Sequence, residues 1–127
     1  VELKPVAMYR EMYGKGHAEL PSLRTAETDA VEPDRARILD YMHTAPGVLD
    51  VMESVEDLVT GDGYIQGGSS LHSDGVWIWR VDSLKYLADR PLALPPEFVA
   101  RVREHGYVPP AVDVDDPDFE DAVMAFF

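Results

Sequence analysis

The chain has 127 residues, with 11 Lys and Arg against 24 Asp and Glu, a net charge of −13, and no cysteine. Without cysteine there is no disulfide scaffold, thiolate nucleophile, Cys-ligated zinc or iron–sulfur cluster. The charge argues against nucleic acid and anionic membrane surfaces as partners, since both are gripped by Lys and Arg, while 46% hydrophobic residues suffice for one core at this length.

In chain order, Pro5 to Tyr13 places Met8, Tyr9, Met12 and Tyr13 on one helical face, with Pro5 at the first position and Gly14 and Gly16 as the stop. Residues 15–32 carry Pro21 and several Ser, Thr and Glu without a period, and read as a long loop that is functional or wraps a partner surface. Pro33 opens a helix to about His43 with Ile38, Leu39 and Met42 as its stripe and Asp34 favourable in the first turn; Ala45-Pro46-Gly47 ends it. From Val48 to Val59 a helical period competes with Val-rich strand character. A strand at Val48–Met52 followed by a helical turn through Thr60 is expected, because the following hairpin needs an edge partner.

Asp74-Gly75 is the dipeptide of a two-residue type I′ turn, in which both residues take positive φ. That turn pairs Ser73 with Val76, His72 with Trp77, Leu71 with Ile78 and Ser70 with Trp79. It sets Leu71, Val76 and Ile78 on one face and His72, Trp77 and Trp79 on the other. Gly67-Gly68 marks a bulge or a close backbone approach. Asp82 then N-caps a helix with Leu84, Leu87 and Ala88 inward, and Pro95-Pro96 lead into another with Phe98, Val99 and Val102 inward, Arg101, Arg103 and His105 at its C-terminal dipole and Gly106 just beyond. Asp116-Pro117 opens a last helix with Phe119, Ala122, Val123 and Phe126 on one side. This order predicts an α+β fold, a small antiparallel sheet of about three strands covered by several helices, as one domain over 1–127 with an acidic helical tail at about 111–127.

His17, His43, His72 and His105 fall in different elements without HxH, HxxxH or HExxH spacing, so no local metal-ligand pair exists and no cofactor is implied. His72 stands out: the expected register sets it beside Trp77 with Asp74 two residues on, where an aspartate orients an imidazole. The plain alternative is a turn aspartate and a stacked surface histidine. Gly67-Gly68-Ser69-Ser70 lacks the strand-to-helix elbow of a nucleophilic serine, and Gly61-Asp62-Gly63 lacks the GK[ST] ending of a phosphate loop. Asp113, Asp115, Asp116 and Asp118 alternate loosely like a calcium loop but lack its Gly and distal Glu, which favours a solvated linker. Trp77 and Trp79 are either core or a partner-binding hot spot.

The charge is unevenly placed. Between Ile38 and Trp79 there is no Lys or Arg but seven acids, Asp40, Asp50, Glu53, Glu56, Asp57, Asp62 and Asp74; from Ala111 onward six more, Asp113, Asp115, Asp116, Asp118, Glu120 and Asp121, meet no base. Such fields steer basic partners, and otherwise serve solubility.

The run Ser73-Asp74-Gly75-Val76-Trp77-Ile78-Trp79, then Tyr86, Leu94-Pro95-Pro96-Glu97-Phe98 and His105-Gly106-Tyr107, resembles a pattern of small uncharacterised actinobacterial proteins across about Ile38 to Pro109. The resemblance implies no activity, because none is established for that group. Small acidic proteins of this kind are sometimes immunity or inhibitor proteins, an analogy of size and charge alone. The leading expectation is therefore a non-catalytic acidic domain that meets a basic protein through Trp77, Trp79, Glu53, Glu56, Asp57, Asp113, Asp115, Asp116 and Asp118. The alternatives are a small hydrolase or transferase around His72, Asp74 and Trp77, and a homo-oligomeric unit joined through the Phe119–Phe127 helix. No targeting signal is visible and no apolar run reaches the roughly 18–20 residues of a membrane helix, so a cytoplasmic protein is expected unless a signal peptide has been removed.

Overall fold

A computed structural model describes residues 2–127. Its strands are β1 (Lys4–Pro5), β2 (Gly47–Leu49), β3 (Ser54–Glu56), β4 (Tyr64–Gln66), β5 (Leu71–Ser73) and β6 (Trp77–Arg80), and its helices α1 (Arg35–Thr44), α2 (Val81–Asp89), α3 (Pro96–Glu104) and α4 (Pro117–Met124). Single 3-10 turns lie at Arg10–Met12 and Leu23–Thr25. This is an α+β fold with helices packed on a four-stranded mixed sheet of order β1-β6-β5-β2, beside a two-stranded β3-β4 sheet.

Both faces of β6 are buried, and its alternation of side chains divides the interior. Trp77 and Trp79 enter a core with Ile38, Tyr41 and Met42 of α1, Leu84 and Leu87 of α2, and Phe98 and Val102 of α3. Phe98 meets both indoles edge-on at 5.6 Å, and the Trp79 Nε1–H donates to the Met42 carbonyl at 3.1 Å, so the indole is buried without an orphaned donor. On the opposite face, Ile78 and Leu71 pack with Leu3, Met8, Leu20 and with Phe119 and Val123 of α4. Full burial of such side chains contributes about 1.5–3 kcal/mol each, so the tail helix is part of the fold rather than an appendage.

The hairpin forms at the expected place but two residues out of the expected register: Ser73 pairs with Ile78, His72 with Trp79 and Leu71 with Arg80. A two-residue slip preserves the faces, so the division of indoles from Leu71 and Ile78 stands. The cause is Asp74. Its Oδ1 accepts the N–H groups of Val76 (3.0 Å) and Trp77 (2.7 Å), and its own N–H donates to the Trp77 carbonyl, so it closes the ladder instead of entering the turn. Gly75, at φ +94°, becomes the first turn residue, the glycine position of a type II′ hairpin.

The sheet is also larger than three antiparallel strands. The helix expected over Pro5 to Tyr13 does not form; its first residue, Pro5, belongs to β1, parallel to β6: Lys4 N–H donates to the Val76 carbonyl (3.0 Å) and Val6 N–H to that of Ile78 (2.8 Å). Pro5 sits between them with its missing donor on the outer side, the position an edge strand tolerates. The chain then weaves between the two cores, Met8 entering one and Tyr9 the other, and only the single 3-10 turn at Arg10–Met12 is helical. The edge partner expected near Val48 is β2, antiparallel to β5, whereas Ser54–Glu56 is a strand and the helical turn is confined to Asp57–Gly61, closed by Gly61 N–H to the Asp57 carbonyl (2.9 Å). The 15–32 segment is irregular and lies on the protein's own surface: Glu11 accepts from the Leu23 N–H (2.9 Å) and the Ser22 hydroxyl, and Glu27 bridges Leu92. Asp34 stands at the N-cap position of α1 without a side-chain cap bond, and Asp82 lies in the first turn of α2, whose N-cap is Arg80. Asp34 takes Arg103 bidentately at 2.9 Å together with the Tyr107 hydroxyl (2.6 Å), joining α1 to the end of α3, and Asp82 holds Arg80.

Candidate functional site

Of the side chains expected on a partner surface, Trp77 and Trp79 are core residues and Asp57 is buried. Asp57 serves its turn: Oδ1 accepts from Val59 (3.0 Å) and Thr60 (3.1 Å), and Oδ2 faces Lys85 Nζ at 2.9 Å. Burial raises its pKa, but these N–H donors and the Lys85 ammonium outweigh that and hold the carboxyl below its usual range.

The expected His72–Asp74 arrangement does not form. Asp74 is 1% exposed and its Oδ2 accepts from the Tyr41 hydroxyl (2.7 Å) and Arg101 Nε (3.0 Å), away from the imidazole. Burial, and then the Asp74 carboxylate, raise the pKa of Tyr41, so that hydroxyl stays a donor. His72 is half-buried opposite Trp79, with Nδ1 3.0 Å from the Ala45 carbonyl. A carbonyl only accepts, so Nδ1 is the donor in this contact. The shallow pocket there, about 320 Å³, is lined by His43, His72, Val81, Leu84 and Lys85, with no carboxylate among them. No group of three or more His, Asp or Glu among the described residues is arranged to hold a metal ion. Asp113 and Asp116 accept from the backbone of Asp115 (3.0 Å) and Asp118 (3.3 Å), and so make a turn and a helix cap.

What the fold does bring together is α4 and the β2 edge. Phe119 and Val123 point α4 into the sheet, and the Tyr13 hydroxyl clamps its end by donating to the Phe126 carbonyl at 2.6 Å. The helix therefore stands between two depressions. One, about 420 Å³, is lined by Leu3, Ala122 and Phe126 with Glu2, Asp118 and Asp121 at its polar side. The other, about 260 Å³, lies against the edge strand β2 and is lined by Val48, Leu49, Val114, Phe119, Val123 and Glu120. Beyond β2 a third, about 370 Å³, carries Asp50 and Glu53 with Met52 fully exposed. Of the thirteen acids in the two base-free stretches, only Asp57 and Asp74 pair with Lys or Arg among the described residues.

No protein-family model, curated protein or solved structure matches this chain.

The acidic surface differs in membership from the sequence reading. Glu53, Glu56, Asp113, Asp115 and Asp118 are exposed as expected, and Glu120 and Asp121, which belong to the expected base-free tail but not to the expected contact set, line the grooves. Their signal was available: Asp118, Asp121, Ala122 and Ala125 share one helical flank at i, i+3, i+4 and i+7. The apolar stripe assigned to self-association is largely used within the chain, leaving Met124 and Phe127 exposed. No helix among the described residues is long and apolar enough to cross a membrane.

Proposed function

We propose that this protein is a non-catalytic binding domain whose α4 ridge and β2 edge receive a basic protein. The observation that carries the reading is the position of base-free acids along apolar grooves: Asp118 and Asp121 border one side of α4, Glu120 the other, and none has a cationic partner among the described residues. Acids dispersed for solubility alone need no apolar floor beside them. Here the carboxylates steer a basic surface to a place where side chains find apolar contact, which divides the work between association rate and residence. Inhibition of that basic protein, by covering its own functional surface, is one form the activity takes.

The test is capture of partners from native lysate at low and high salt with matched variants. Asp118→Asn, Glu120→Gln and Asp121→Asn together are expected to weaken capture of a basic protein by about tenfold or more at low salt, with the difference shrinking at high salt. Asp29→Asn, Glu97→Gln and Glu104→Gln, which neutralise exposed acids elsewhere by the same net charge, are expected to change it little. An acidic partner, equal loss in both variants, or no partner at either salt overturns the proposal.

A further inference from the structure

We propose that Asp62 is a site of spontaneous covalent modification, at which the folded chain converts aspartate to isoaspartate through a cyclic imide. Asp62 lies in the exposed link between β3 and β4, and the proposal is independent of the α4 reading. In the reaction the Gly63 main-chain nitrogen attacks Cγ of Asp62. The new N–Cγ bond closes the ring, the nitrogen gives up its proton, and the protonated carboxyl loses its hydroxyl, so that water leaves. Water then adds to either imide carbonyl. Opening at Cγ restores aspartate, whereas opening at the main-chain carbonyl leaves the chain running through Cγ with the α-carboxylate as a branch. Nothing is oxidised or reduced, and the carboxylate count does not change.

The chain has two Asp-Gly pairs and no asparagine, and a following glycine leaves the attacking nitrogen unhindered, so these pairs are where the chemistry is easiest. The fold treats them oppositely. At Asp74-Gly75 both reacting groups are held: Oδ1 accepts from Val76 and Trp77, Oδ2 from Tyr41 and Arg101, and the Gly75 N–H donates to the Ser73 hydroxyl at 3.0 Å. Turning that buried carboxyl onto the Gly75 nitrogen would strand its donors. At Asp62-Gly63 both residues are exposed, and neither the Asp62 carboxylate nor the Gly63 N–H has a hydrogen-bond partner among the described residues. Nothing stands within 4 Å of a Cβ built at Gly63, whereas one at Gly75 would meet Val112 at 3.4 Å. Thr60 is the local restraint, its hydroxyl donating to the Asp62 carbonyl (2.9 Å) and accepting the Asp62 N–H (3.2 Å). Both bonds are exposed and open without wider unfolding. Isoaspartate inserts a methylene into the main chain just before Gly63, whose carbonyl accepts the Asp57 N–H at 3.1 Å, so the change falls on the turn that Lys85 anchors.

The test incubates the full chain, folded and in urea, side by side at mildly acidic pH. Isoaspartate is located by digestion with a protease that cuts before aspartate but not before isoaspartate, followed by mass spectrometry of the resistant peptides. In the folded chain it is expected to form at least about tenfold faster at position 62 than at position 74, because position 74 reacts only from an opened state. Urea is expected to bring the two rates to within about a factor of two, since it removes the contacts that distinguish them. Asp62→Asn, which closes the same ring with ammonia as the leaving group, is expected to deamidate in the folded chain faster than the wild type isomerises. No conversion at position 62 in the folded chain, equal rates at the two positions there, a tenfold difference that persists in urea, or deamidation of Asp62→Asn only in urea overturns the proposal.

Discussion

Asp74 does at the residue scale what its sequence position does not advertise. One carboxylate takes two backbone N–H groups at the turn, a hydroxyl from α1 and a guanidinium from α3, and so ties hairpin, α1 and α3 at a single point. The partners are unequal. Asp74 is fully buried, whereas the Arg101 side chain is 25% exposed and rehydrates when released. Asp74→Ala is therefore expected to cost about 3 kcal/mol, because it strands two backbone donors and a buried hydroxyl. Arg101→Ala is expected to cost about 1 kcal/mol, because the carboxylate keeps its other donors. Urea denaturation measures both, and equal losses would show that the ion pair rather than the turn is what Asp74 secures.

Between elements, the tightest glycine position is Gly68, where β4 hands over to β5. A Cβ there would stand 2.3 Å from Val55 Cγ2 and 3.1 Å from the Ile65 carbonyl, while the Gly68 carbonyl accepts from the Asp82 N–H (2.9 Å) at the start of α2. Gly68→Ala is expected to cost about 1–3 kcal/mol by overpacking the β3-β4 sheet against α2. Gly14→Ala, with nothing within 4 Å and no positive φ, is expected to stay within about 0.5 kcal/mol. Thermal unfolding of the pair distinguishes a packing constraint from a general intolerance of side chains at glycine. The close approach at Gly67-Gly68 was legible, as were α1, α3, α4 and the hairpin, because each is declared by local residues: Pro at a helix start, Gly106 at φ +60° after α3, Asp-Gly at a turn. What was not legible depended on distant partners. β1 is a strand because β6 offers it carbonyls some seventy residues away, and the indoles are core because helices cover their face. Asp57 left the surface because Lys85 and its own turn claim it, and the α4 grooves appear only once Phe119 and Val123 fix the helix against β5 and β6.

For the whole molecule, the unpaired acids set a conflict between solubility and compactness that pH exposes. Near neutral pH their mutual repulsion opposes folding, and it fades as pH falls toward the isoelectric point of about 4.4. Asp82 acts in the same direction: burial, resisted by Arg80, raises its carboxyl from 3.8 to about 6, so its contribution to stability is full below the unfolded value and lost as pH rises through about 6. Asp34 and Asp57 act in the opposite direction. Arg103 and Tyr107 hold Asp34 well below the usual carboxylate range. For Asp57, burial is outweighed by its N–H donors and Lys85, so both contributions are present above the unfolded value and lost as pH falls through the depressed one. The melting temperature at low salt is therefore expected to rise from pH 7 to a maximum near about pH 5 and to fall steeply below about pH 4. Added salt is expected to lift the neutral arm, where exposed acids repel across water, and to leave the acid arm in place, because the buried Asp57 carboxylate is poorly screened. Calorimetry at two salt concentrations reads both arms; a melting temperature that declines steadily from pH 7 downward would mean that the paired carboxylates, and not the repulsion among the free ones, govern the stability of this fold.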